Sequence, residues 1–176
     1  PFDPENVLVV ASSVLAGQPY AGLARFTVAA KSPLTFGIGE ARSEGPFAAA
    51  LKQSGADAIV IRGRATEPVM LVIDDGAITL EPAGNLWGQT TGDVTESLWN
   101  RFGSDAHVAA IGPAGENLVR FASIVSNRNH QAARMGMGAV AGSKLLKAIV
   151  IRGGTAPPVA DPQRCEALSQ YYAEHV

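Results

Sequence analysis

The hexapeptide Ala-Ile-Val-Ile-Arg-Gly occurs twice, at 58–63 and again at 148–153. A six-residue identity in an apolar chain can arise by chance, but the surroundings correspond as well. Upstream of the first copy lie Leu23-Ala24-Arg25-Phe26, a Gly37-Ile38-Gly39 loop and a run of small residues. Upstream of the second lie Leu118-Val119-Arg120-Phe121, Gly136-Met137-Gly138 and another small-residue run. The chain therefore reads as two copies of a strand, turn, strand, glycine loop, helix, strand unit, roughly 90 residues apart. They cover about 7–63 and 107–153, with 64–106 inserted between them. Such a doubling implies pseudo-twofold symmetry, with the glycine loops and the arginines Arg25 and Arg120 in equivalent places.

Within this frame Val7–Ala11 and the first hexapeptide read as buried strands, being short, apolar and β-branched. Ala24–Lys31 alternates, which puts Arg25 and Thr27 on one face and Phe26 and Val28 on the other. The loop Gly17–Gly22 precedes it. Ser32–Gly39 reads as a turn-rich connection, and Ser43 as the N-cap of a helix with Pro46 in its first turn, running to Gln53 and stopped by Gly55. Val69–Ile73 and Ala77–Leu80 flank Asp74-Asp75-Gly76, a hairpin signal. Thr91 can cap a helix with Val94, Leu98, Trp99 and Phe102 on its inner stripe, ended by Gly103. His107–Ile111 and Val119–Val125 read as strands separated by a Gly112–Gly115 turn, and Ser143–Lys147 as helix before the strand Ala148–Arg152. Thr155–Ala160 is linker-like, and a final helix from Pro162 carries Leu168, Tyr171 and Tyr172. Mixed strands and helices of this kind make an α+β protein of two mixed sheets with intervening helices.

The stretch from Asn127 to Gly142 stands out chemically. Arg128, His130, Gln131 and Arg134 lead into glycines 136, 138 and 142. Small residues and a helix start suit a phosphate; the commoner role of such glycines is close packing of two elements. Gly138–Lys144 has the wrong order for a P-loop, and Gly37-Ile38-Gly39 lacks the third glycine of a dinucleotide motif. No Ser/His/Asp set or side-chain metal cluster stands out.

A formal net charge of −2 leaves no basic footprint for nucleic acid or an anionic membrane. No apolar run is long enough to span a bilayer. The single cysteine, Cys165, forms no disulfide within the chain and fits a reducing cytoplasm.

The segments KSPLTFGIGEARSEGPF (31–47), Asp74-Asp75-Gly76, Leu86-Trp87-Gly88, AAIGPAGENLVRFASI (109–124) and GMGAVAGSKLLKAIVIRG (136–153) occur in an order that resembles the N-terminal domain of the tungsten-containing aldehyde:ferredoxin oxidoreductase family. The resemblance implies a duplicated base of two sheets, residues 1–153, on which tungsten (or molybdenum) held by two pyranopterins rests. It leaves 154–176 as a linker and the first helix of a following domain. It also implies oxidation of aldehydes to carboxylic acids, with electrons passed through a [4Fe-4S] cluster to ferredoxin or another carrier. The pterin-contacting positions carry over to Arg25, Arg42, Glu44, His130, Gln131, Ala133, Arg134 and Gly136. Some members place an asparagine at the Arg42 position, where it helps hold Mg2+ between the pterin phosphates, and a glycine at the Glu44 position. A guanidinium has no lone pair for Mg2+, so Arg42 either leaves that cation to other ligands or neutralises the phosphates itself. The cluster cysteines and aldehyde pocket of the family are not in this chain, so no catalytic residue is expected in it. Sequence is expected to be missing at both ends. Homo-oligomer formation is left open, and a non-catalytic module that keeps the fold is the competing reading.

Overall fold

A computed structural model describes residues 1–18 and 24–175. Residues 19–22 of the expected loop, and Leu23 of the first repeat, fall outside that range.

The first half forms β1 (Leu8–Ser12), β2 (Arg25–Lys31), β3 (Ile38–Glu44), α1 (Pro46–Gln53) and β4 (Ala58–Ile61). Its sheet runs β3-β2-β1-β4 and is antiparallel throughout. As the alternation of β2 requires, Phe26 and Val28 are buried while Arg25 is exposed. β3 takes the place of the turn-rich stretch expected around Gly39, and the helix start moves with it. Ser43 lies buried in β3 and does not cap; the cap position is Gly45. With φ at +101° and a Cβ position only 2.5 Å from the His130 ring, residue 45 has to be glycine. Pro46 then opens α1 as expected.

The second half adds β5 (Val69–Asp74), β6 (Ala77–Pro82), α2 (Thr91–Phe102), β7 (His107–Ala110), α3 (Pro113–Glu116), β8 (Ile124–Ser126), β9 (His130–Ala132), α4 (Met137–Ser143) and β10 (Leu146–Arg152). The sheet order is β6-β5-β10-β7-β8-β9, mixed through the single parallel pair β5–β10. Asp75 and Gly76, both at positive φ, turn the β5–β6 hairpin. α2 is capped one residue earlier than expected: Thr90 accepts from the Asp93 N–H. The Gly112–Gly115 turn closes into one helical turn, and residues 118–123 form turns and irregular backbone, so the strand expected from Val119 starts only at Ile124.

The helix expected over Ser143–Lys147 instead ends at Ser143, and β10 begins at Leu146 after a tight turn through Leu145 at φ +59°. Lys144 and Lys147, on either side of this turn, are both buried. The Lys144 ammonium donates to the carbonyls of Pro4 (3.1 Å) and Gly63 (3.0 Å). That of Lys147 pairs with Glu116 and donates to the Gln89 carbonyl. Burial lowers both ammonium pKa values, and Glu116 works against that shift at Lys147.

The two sheets share one plan. β3-β2-β1-β4 and β9-β8-β7-β10 have the same order and direction, and the repeated residues hold the same register: Ala58 faces Ala11 at the end of β1, and Ala148 faces Ala110 at the end of β7. The arginines do not correspond. Matching the registers of β2 and β8 sets Arg25 opposite Ser123, whereas Arg120 lies in the preceding turn. Nor is the first hexapeptide buried; β4 is an edge strand with Ala58 and Val60 exposed. One core joins the two sheets through α1 and α4, with Phe26, Phe47, Ile73, Met137, Val140 and Ile151 among its members. A second lies between α2 and the outer face of the six-stranded sheet. Helix α5 (Pro162–His175) buries no residue, and no described helix is long and apolar enough to cross a membrane.

Candidate cofactor-binding site

The outward face of β2 and β3 carries charge at regular spacing. Arg25 stands opposite Glu44 in the ladder, and the two pair at 2.5 Å. Arg42 pairs with Glu40, two residues back on the same face. Both arginines are more than half exposed. At the far end of that face Ile38 is 92% exposed.

The β8–β9 turn reaches this face from the other sheet. Asn127 and Arg128 adopt positive φ, which asparagine tolerates well. Asn127 is pinned from both ends of its amide: Oδ1 accepts from the Val108 N–H at 2.8 Å, and Nδ2 donates to His107 Nδ1 at 3.0 Å. The turn delivers His130 onto Gly45, with ring atoms within 2.7 Å of where a Cβ would stand. A polar hollow results at the seam, lined by Arg25, Arg42, Ser43, Glu44, Asn129, His130 and Gln131. Two guanidinium groups, an imidazole and two carboxamides converge there from different sheets. Such donors suit an anion with several oxygens. With Glu40 and Glu44 counted, the face is formally neutral.

Five of the eight positions singled out from sequence, Arg25, Arg42, Glu44, His130 and Gln131, thus line one hollow; Ala133, Arg134 and Gly136 do not. Ala133 and Arg134 are exposed just beyond β9, and Gly136 is buried. The glycine stretch packs against backbone. A Cβ at Gly136 would stand 1.9 Å from the Arg120 carbonyl oxygen, at Gly138 2.3 Å from that of Ser123, and at Gly142 2.0 Å from that of Gly115. The Gly138 N–H already donates to Ala122. Every residue of α4 is buried, in keeping with close packing as the commoner role of such glycines. The two glycine loops do meet: a Cβ at Gly39 would touch Met135 and Met137 at 2.8 Å, and the Ser32 hydroxyl donates to the Met135 carbonyl. Sequence reasoning missed Glu40, Ser43 and Asn129. The spacing of Glu40, Arg42 and Glu44 is a strand signal that the glycines around it hide.

The sequence of residues 1–153 matches the family model described as aldehyde ferredoxin oxidoreductase, N-terminal domain. Among similar proteins, a tungsten-containing aldehyde ferredoxin oxidoreductase of Pyrococcus abyssi is 47% identical over 163 residues, covering 92% of this chain and 27% of the relative. The namesake from Pyrococcus furiosus is 43% identical over 165 residues, with 93% and 27% covered. An aliphatic sulfonate oxidoreductase, WOR-like subunit, of Pyrococcus furiosus is 31% identical, with 96% and 29% covered. The solved active site complex BamBC of benzoyl coenzyme A reductase, in complex with 1,5-dienoyl-CoA, superposes with a TM-score of 0.96 at 38% identity, covering 99% of this chain and 27% of that one. The chain thus spans about a quarter of the length of these relatives. From its sequence over nearly its whole length and from its fold, it belongs to the aldehyde ferredoxin oxidoreductase family and corresponds to the N-terminal domain.

Proposed function

We propose that this chain is the cofactor-holding portion of a larger oxidoreductase that converts aldehydes to carboxylic acids, and that its polar hollow receives the phosphate tails of a tungsten or molybdenum bis-pyranopterin. The observation that carries this reading is the convergence of Arg25 and Arg42 with His130 and Gln131 across the seam of the two sheets. These residues fit the group: guanidinium forks match phosphate oxygens, and the hollow is open enough for a side-chain-sized anion to enter. When bound, the cofactor would supply the metal-centred redox chemistry.

The chain's own part is placement and charge. Arg25, now paired with Glu44, and Arg42, now paired with Glu40, would hold the phosphate oxygens and neutralise their charge. Arg42 in this role replaces the Mg2+ that members with asparagine use. Electron transfer through a [4Fe-4S] cluster to ferredoxin or another carrier is assigned to other parts of the polypeptide.

A non-catalytic role is favoured by one observation, the formal neutrality of the arginine and glutamate face. Purification of the intact polypeptide from a tungstate-supplied host separates the two. Stoichiometric tungsten or molybdenum with release of a fluorescent pterin on denaturation is the expected result; a metal-free, pterin-free preparation overturns the proposal. Arg25→Ala lowers pterin content at unchanged thermal stability, and Arg134→Ala, outside the lining, lowers it less.

A further inference from the structure

Among the described residues one buried side-chain polar atom has no hydrogen-bond partner, the hydroxyl oxygen of Ser126 at the end of β8. The residue is wholly buried. A hydroxyl shut away from water forfeits its hydrogen bonds to solvent, and folded chains leave few such groups unanswered.

The strand register says what that hydroxyl can reach. Ser126 stands opposite Ala109 of β7 on one side and His130 of β9 on the other. Side chains directly opposite share a face, with Cβ atoms about 5 Å apart. Ala109 offers only a methyl, and the next pair along the same face, Ile124 and Ala132, belongs to the apolar core. The neighbouring carboxamide of Asn127 is committed at both ends, to the Val108 N–H and to His107. His130 is thus the polar side chain directly across from the hydroxyl. Its ring has capacity to spare: His107 and His175 each have a ring nitrogen in a hydrogen bond, whereas His130 has none among the described residues. The Cδ2–Nε2 edge of the His130 ring lies against Gly45, and the residue lines the hollow between the sheets, which Ser126 does not. A neutral imidazole has one donor and one acceptor nitrogen, and the partner found by one of them decides which is which.

We infer that Ser126 is a positioning residue for His130 in anion binding. When an anion occupies the hollow, the Ser126 hydroxyl donates to His130 Nδ1, and Nε2 carries the ring proton and donates it to an anion oxygen beside the Arg25 and Arg42 guanidinium groups. In the empty fold the hydroxyl is unanswered; in the filled one a single hydrogen bond satisfies it and selects the ring tautomer that can donate. The inference rests on the reading of the hollow as a phosphate site and adds to it a residue that touches no ligand.

The test uses the intact polypeptide prepared free of cofactor, with inorganic phosphate as the probe, titrated calorimetrically at constant ionic strength. Ser126→Ala is expected to weaken phosphate binding by about tenfold while the thermal unfolding midpoint without phosphate stays level or rises, since an unanswered hydroxyl is removed. In a His130→Phe background, which keeps a ring against Gly45 and drops both nitrogens, the same change is expected to alter binding by less than about twofold. With isotope-labelled histidine, the His130 ring nitrogen resonances are expected to move apart on phosphate addition toward the pattern of a single Nε2–H tautomer, and to stay averaged in Ser126→Ala. Binding by Ser126→Ala within about twofold of the parent overturns the inference and leaves the hydroxyl to an internal water. Equal weakening in both backgrounds overturns it too, because Ser126 then acts other than through His130. So does a lowered unfolding midpoint in Ser126→Ala, which means the hydroxyl already has a partner in the empty fold. No phosphate binding by the parent polypeptide overturns it together with the phosphate-site reading, whereas parental binding unmoved by Ser126→Ala overturns the inference alone.

Discussion

Residue for residue, the two copies of the repeated strand show how little local sequence says about environment. Lys147, just before the second hexapeptide, is fully buried against Glu116; Asp57, just before the first, is 83% exposed and pairs with Lys52. The helices differ likewise: α1 presents Phe47 and alanines to the core, while α4 needs Gly138 and Gly142 to pass under the 115–123 backbone. The central strands of the six-stranded sheet, β5, β10 and β7, are covered on both faces, whereas the four-stranded sheet is covered on its inner face only. Burial therefore comes from what a sheet is flanked by.

The sharpest break between the halves is expected at the ion pairs. Lys147→Met leaves Glu116 buried without its partner and costs about 3–5 kcal/mol, whereas Asp57→Asn costs about 0.5 kcal/mol or less; urea unfolding of the intact polypeptide measures both. Equal costs would mean that the buried pair is solvated. Next comes Ile151→Ala, at about 3 kcal/mol from a site with no exposure. Its counterpart Ile61→Ala, half-buried on the edge strand β4, costs about 1 kcal/mol. Gly142→Ala drives a methyl into the Gly115 carbonyl and costs about 1–3 kcal/mol. In α1, Ala49→Gly costs roughly 1 kcal/mol through helix propensity alone.

The smallest effect is a pH dependence confined to one half. His107 occupies the place that Leu8 takes in the first sheet, by the register of each with its hexapeptide strand. Burial pushes its pKa below the ordinary 6.5, with Asp105 partly opposing, and its Nδ1 already accepts from Asn127. With the folded pKa the lower one, the unfolded chain binds the proton more readily. Stability therefore falls as pH drops through 6.5 toward the folded value and levels off beneath it. His107→Gln, which keeps an acceptor for Asn127, flattens that part of the profile of unfolding free energy against pH. An unchanged profile would assign the dependence elsewhere.

Much of the frame was legible. The Asp75-Gly76 turn, the outward Arg25, the inner stripe of α2 and the paired hexapeptides all rest on turn chemistry or periodicity, which act over a few residues. β3 was not legible, because Gly37 and Gly39 read as loop. It is a strand because β2 offers a complete edge, and because only a hydrogen atom at position 39 clears Met135 and Met137. For the site, the charged residues were visible in sequence, but the gathering of Arg42 and His130 depends on a seam between two sheets.

By itself the sequence determined the duplicated order of elements and the family, since both are written in residue types at fixed spacing. Only the tertiary structure decided which lysines are buried, that the glycines of α4 serve packing, and that one copy of an identical strand is an edge. The buried lysines and the packed glycines depend on partners 15 or more residues away, such as Glu116 for Lys147 or Ser123 for Gly138. A polar or small side chain becomes interior only when such a partner meets its hydrogen bonds or fills its space.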